Sequence, residues 1–96
     1  SELAGSYIVS LNNSEAAAVR DKLNTIVQAA KVPVINDKAP IITVRVFPKS
    51  KDSNGELGRA IFETASQNSW KISEIKKDEG RLDDVFREIT LSETKN

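Results

Sequence analysis

The 96 residues carry 14 Lys plus Arg against 14 Asp plus Glu, a formal net charge of zero, with 39% hydrophobic and 29% charged residues. That balance suits one globular domain with one core and gives no electrostatic reason for a nucleic-acid partner or an anionic membrane surface. Cys and His are both absent, which excludes thiolate nucleophiles, thiolate or imidazole metal sites, Ser-His-Asp triads and disulfides together.

Tyr7-Ile8-Val9-Ser10-Leu11 is rich in strand formers and puts Tyr7, Val9 and Leu11 on one face, so a first strand is expected at about 6–12. Asn12-Asn13-Ser14-Glu15 follows with helix-start chemistry, Asn12 and Glu15 having capping-box spacing. The helix it opens is expected over about 14–31, with Ala16, Val19, Leu23, Ile26, Val27 and Ala30 toward the core. Val32-Pro33-Val34-Ile35-Asn36 reads as a short strand, and Pro33 places it at a sheet edge where one ladder hydrogen bond can be absent.

After the polar turn Asp37-Lys38-Ala39-Pro40 comes the strongest strand pattern, Ile41 to Phe47. Ile42, Val44 and Val46 share one face, and Ile41, Thr43, Arg45 and Phe47 the other, as in a central strand from which Arg45 reaches outward. Pro48 to Asn54 is a loop, and Asn54-Gly55 leads into a helix at about 56–68 with Leu57, Ala60, Ile61 and Ala65 buried and Phe62 off that line. Trp70 to Lys76 reads as the last strand. Strict alternation puts Ile75 opposite Trp70 and Ile72; either a bulge corrects this, or Ile75 meets a further element on the second face, the arrangement favoured here.

That further element is a helix at about 81–91, after the turn Asp78-Glu79-Gly80 and before a polar tail, Ser92 to Asn96. Leu82, Val85, Phe86 and Ile89 recur at i, i+3, i+4 and i+7, with Arg81, Asp83, Asp84, Arg87 and Glu88 opposite. Burying each apolar side chain is worth about 1.5–3 kcal/mol, so the stripe needs a cover. The sheet of this domain is the expected one. The element order β-α-β-β-α-β plus a helix defines an α+β, ferredoxin-like antiparallel sheet with an additional C-terminal helix, spanning 1–96 with its core at about 6–91.

Several patterns carry no chemistry on inspection. Asp83 and Asp84 are adjacent and point about 100° apart on a helix, which suits a first turn near the positive end of the dipole more than acid-base catalysis. Gly55-Glu56-Leu57-Gly58-Arg59 lacks the Gly-Lys-Ser/Thr ending of a phosphate loop. Lys49-Ser50-Lys51 has no interleaved aromatic residue to stack a base. Asn12-Asn13-Ser14 is a glycosylation sequon on paper, and Trp70 suits a core or rim position.

Leu82-Asp83-Asp84-Val85-Phe86-Arg87-Glu88-Ile89-Thr90 resembles the Leu-Glu-Asp-Val-Phe-x-x-Leu-Thr ending of ATP-binding subunits of bacterial drug- and ion-exporting ABC transporters, in which it closes a small C-terminal domain. Trp70 to Ile75 is similar to that family's last strand, and Glu2-Leu3 to the end of its connection from the ATPase domain. Asp83 stands where the family has Glu, and Ile89 where it has Leu. The chain has no Walker A loop, Ser-Gly-Gly-Gln signature or Walker B strand, so the resemblance implies the non-catalytic accessory domain alone, cut from a longer protein. ATP and Mg would belong to the parent protein and no cofactor to this part.

The implied partners are the parent's ATPase domain, a second ATP-binding subunit and a membrane permease subunit, with no nucleic acid and no direct membrane insertion. The implied location is cytoplasmic, peripheral to the inner membrane. Leu82, Asp83, Val85, Phe86 and Ile89 would anchor the helix, and Arg81, Asp84, Arg87 and Glu88 would face a partner. A freestanding, ACT-like ligand-sensing domain is the alternative, although its β1–α1 turn would be glycine-rich. An acylphosphatase-like enzyme would need an Arg in that same turn.

Overall fold

A computed structural model describes residues 5–52 and 54–78. They form β1 (Ser6–Asn12), α1 (Ala16–Leu23), β2 (Ala29–Lys31), β3 (Val34–Asn36), β4 (Ile41–Pro48), α2 (Glu56–Gln67) and β5 (Lys71–Asp78). The described residues are therefore α+β, a five-stranded antiparallel sheet with two helices, compatible with a ferredoxin-like arrangement. The expected helix at 81–91 and the tail after it lie outside the described residues.

The sheet runs β2-β4-β1-β5, with β3 also paired to β4. Period-two alternation turns Tyr7, Val9 and Leu11 of β1 to the same side as Ile42, Val44 and Val46 of β4, and the register sets Val9 against Val44 and Leu11 against Ile42. On that side the helices bring Val19 and Leu23 from α1, and Leu57, Ile61 and Ala65 from α2. All are buried, and all but Ala65 belong to one apolar cluster.

Several expectations need correction. The first helix ends at Leu23, not near residue 31, and a strand, β2, occupies Ala29–Lys31. Thr25-Ile26-Val27 is a β-branched run that a helix disfavours. Thr25 Oγ1 donates to the Lys22 carbonyl at 2.6 Å, and successive tight turns (Thr25 N to Lys22 O, Ile26 N to Leu23 O) unwind the helix. Ile26 stays in the core and Ala29 joins it, but Val27 and Ala30, assigned to the core by helical period, are exposed, Val27 at 77%.

The expected strand 32–36 is shortened to Val34–Asn36 and forms the second half of an edge that β2 begins. Val32 and Pro33 interrupt it. Pro33 gives no N–H, yet its carbonyl still accepts from Arg45 N at 3.0 Å, which keeps the edge attached across the break.

The third correction concerns Ile75. The register runs Ser10 to Glu74 and then Leu11 to Ile72, so Ser73 is an extra residue on β5. This bulge resets the alternation and places Ile75, opposite Val9, on the helix side, where it packs against the core with Ile72 and Trp70. Ile75 is thus not available to a helix on the second face. The strand also continues through Asp78, a residue the sequence pattern assigned to a turn.

In neither described helix does the N-cap residue's own side chain make a capping hydrogen bond. The capping box expected from Asn12 and Glu15 does not form: Glu15 is itself the N-cap residue of α1, and Ser14 Oγ donates to Asn12 O at 3.3 Å. Gly55 caps α2 in the left-handed region, at φ 71°. Just inside that helix, Gly58 lies against Tyr7, and a Cβ there would sit 3.0 Å from Tyr7 Oη and 3.1 Å from two ring carbons.

The Tyr7 ring is held on both sides of that contact. It is buried, and its hydroxyl donates to Asp52 Oδ2 at 3.0 Å, while Asp52 Oδ1 accepts from Leu57 N at 3.1 Å. Gly58→Ala gains roughly 1 kcal/mol of helix propensity, but crowding of this kind costs roughly 1–3 kcal/mol. A net loss of about 1 kcal/mol is expected, read as a lower urea midpoint at unchanged slope; a raised midpoint would mean that the ring yields.

Candidate functional site

The residues singled out by the family motif, Arg81, Leu82, Asp83, Asp84, Val85, Phe86, Arg87, Glu88 and Ile89, lie outside the described residues. What the fold does define is the surface on which the described residues end. Asp78 closes β5 beside β1, with Gly5 N donating to its carbonyl at 2.8 Å. Alternation sends Ser6, Ile8 and Ser10 of β1, Thr43 and Arg45 of β4, and Glu74, Lys76 and Asp78 of β5 to the face away from the helices.

That face is more polar than its strand pattern suggests. Arg45, expected to reach outward, lies down across it: Nη1 donates to Ser6 Oγ at 2.8 Å and to Asp78 Oδ2 at 2.7 Å. The Arg45 and Asp78 side chains are only 16% and 14% exposed, and Ser6 is fully buried. The Ser10 and Thr43 hydroxyls share a hydrogen bond at 2.9 Å. Toward the β2 edge, Lys31 Nζ stands 4.7 Å from the Phe47 ring centre, a cation–π contact. Ile8, half-buried, and Ile41 supply apolar surface between these groups.

A second feature lies at one end of the sheet, a cleft of about 390 Å³ between the β1–α1 and α2–β5 turns. Asn12, Asn13, Ser14 and Glu15 form one wall and Asn68, Ser69, Trp70 and Lys71 the other. Among the described residues, the two non-glycine positions with positive φ, Asn13 and Ser69, each at 56°, are both here. Asn tolerates that region better than most residues, while Ser there is uncommon. The tight turn at Ser69, whose N–H donates to Ser66 O at 3.2 Å, delivers Trp70 to the cleft with its N–H bonded to Ala65 O at 2.9 Å.

The cleft offers amide, hydroxyl, carboxylate and ammonium groups beside an indole, a set able to hold a small polar molecule. Its Ser14 hydroxyl is committed to Asn12 O, and no His or Cys exists to activate a nucleophile. In the sequence, Asn12-Asn13-Ser14 looked like a cap or a sequon and Asn68-Ser69 like a helix end. The available signal was that two polar, turn-forming segments sit one after the first strand and one before the last, strands that pair as neighbours with Asn12 against Lys71.

Among the described residues no group of three or more carboxylates could hold a metal ion, and no helix is long and apolar enough to cross a membrane. No protein-family model, curated protein or solved structure matches the sequence.

The Arg45 to Asp78 pair is the candidate surface's strongest internal tie. Asp78→Ala leaves a largely buried guanidinium with Ser6 as its remaining described partner and is expected to cost roughly 1–3 kcal/mol in denaturant unfolding. Adding Arg45→Met removes the orphaned charge and should return part of that loss. A double variant no more stable than Asp78→Ala alone would show that the two residues are not coupled.

Proposed function

We propose that this protein is the accessory domain of an ABC transporter ATP-binding subunit, a non-catalytic module that acts through protein contacts. The observation that carries the reading is the resemblance of residues 82–90 to that family's ending. In this reading the sheet is ferredoxin-like, with β2 and β3 together serving as one broken edge strand. Residues 81–91 form a third helix whose apolar stripe lies on the second sheet face.

Two features support that placement. The described residues end at Asp78, on the β1–β5 side of that face, and Ile8 and Ile41 offer apolar surface on it. Leu82, Val85, Phe86 and Ile89 then anchor the helix over Ile8 and the Ile41–Phe47 strand, not over Ile75. Arg81, Asp84, Arg87 and Glu88 are left to contact the ATPase domain, the second ATP-binding subunit or the permease. ATP and Mg stay with the parent's nucleotide-binding domain, and the assembly sits at the cytoplasmic side of the inner membrane.

Charge reversal in the intact parent subunit tests this role. Asp84→Lys combined with Arg87→Glu should weaken subunit association roughly tenfold, about 1.4 kcal/mol, and lower transport while the isolated domain keeps its unfolding midpoint. Unchanged association and transport would remove the partner-contact role, and a parent reading frame without Walker A and signature motifs would remove the family.

The cleft between the two turns favours one other reading, an ACT-like domain that senses a small effector. Trp70 is the single Trp of the sequence and lines the cleft, so its fluorescence reports on that site without interference. Titration with small polar metabolites should shift Trp70 emission saturably, and Ala18→Gln, which adds bulk at the wall, should abolish the shift. If no compound alters Trp70 emission, the sensing reading fails and the accessory-domain reading is untouched.

A further inference from the structure

The loop before α2 brings three groups into an arrangement that neither reading uses. Asn54 is exposed, and Gly55 follows it with φ 71° and no atom within 4 Å of where a Cβ would stand. Among the described residues no backbone carbonyl accepts a hydrogen bond from Gly55 N. Arg59, one turn along α2, folds back so that its Nη1 donates to the Asn54 carbonyl oxygen at 3.3 Å.

That carbonyl belongs to the peptide whose nitrogen is Gly55 N. A guanidinium on the oxygen stabilises the negative charge that spreads there when the nitrogen loses its proton, by the same electrostatic logic as an oxyanion hole. The residue most able to block the reaction, a bulky neighbour on the C-terminal side, is replaced by glycine, with open space around it.

We propose that Asn54-Gly55 is a self-modifying site, cyclised with the assistance of Arg59. Base removes the Gly55 amide proton, and the nitrogen attacks Asn54 Cγ. A bond forms between Gly55 N and Asn54 Cγ, the bond from Cγ to Nδ2 breaks, and Nδ2 leaves as ammonia after taking up a proton. The five-membered succinimide then adds one water across either carbonyl and opens to an aspartyl or isoaspartyl residue at position 54. No electrons are transferred, and the sum is one water in and one ammonia out.

The product places a new carboxylate just ahead of the first turn of α2 and within reach of Arg59, and it moves the net charge of the protein from zero to minus one. In the isoaspartyl form the backbone is also one methylene longer immediately before the cap of α2.

The test is incubation of the full-length protein in mildly alkaline buffer followed by peptide mass mapping. The expected result is a gain of about 1 Da that appears first and fastest in the peptide holding position 54, with an isoaspartyl signal. Asn13-Ser14, Asn24-Thr25, Asn36-Asp37 and Asn68-Ser69 are the internal controls. Asn54→Gln, which would have to close a larger ring, should remove the gain. Arg59→Gln should slow it in the folded protein and leave the rate in urea unchanged, a difference that loop flexibility alone would not produce. Equal conversion at the control asparagines would overturn the site, and an Arg59→Gln protein that converts at the parental rate when folded would overturn the assistance.

Discussion

Everything in this fold is registered on β1. It lies between two neighbours, paired with β4 over Tyr7–Asn12 and with β5 over Ser6–Asn12, and its alternate residues Tyr7, Val9 and Leu11 form the floor on which both described helices rest. A one-residue slip against either neighbour would carry an entire apolar set to the opposite face. The bulge at Ser73 is therefore a requirement of the sequence: given Ile72 and Ile75 three apart, only an extra residue between them lets both sit opposite Leu11 and Val9.

This explains what could be read from the sequence. β1, β4 and α2 have clean periods and appear where their patterns place them, because nothing competes with alternation in Tyr7–Leu11 and Ile42–Val46 or with helical spacing in Leu57, Ile61 and Ala65. The misreadings have separate causes. Over residues 24–31 an apolar helical period coincides with a β-branched run, and the local backbone preference of Thr25-Ile26-Val27 prevails, so Val27 points to solvent. At Ile75 the period was right but the phase was not, since a bulge leaves no mark in composition. The polar network of Ser6, Arg45 and Asp78 joins residues up to 72 positions apart in sequence, and no spacing rule reaches across that distance.

The candidate surfaces differ in how they are built. The second face is held by charge and hydroxyl pairs that satisfy one another, so a cover there need supply apolar contact only around Ile8 and Ile41. On the proposed placement, a narrow four-residue stripe such as that expected for Leu82, Val85, Phe86 and Ile89 would suit it better than a broad apolar slab. The cleft at the sheet end is instead made of turns, and its geometry comes from two residues held in an uncommon backbone region. On the two proposed readings the surfaces would take different partners, a helix on the one and a small molecule on the other.

The bond from Gly5 N to the Asp78 carbonyl has a mechanical meaning. It makes the first and last described residues near neighbours, at the same end of two antiparallel strands. Tension applied between those points loads the β1–β5 ladder as a zipper, opening one pair of hydrogen bonds at a time from Ser6 and Asp78 inward, and not as a shear in which all pairs resist together. The ladder therefore opens pair by pair when pulled between those points, and the first residue to part, Asp78, is the one whose carboxylate also holds Arg45 in place.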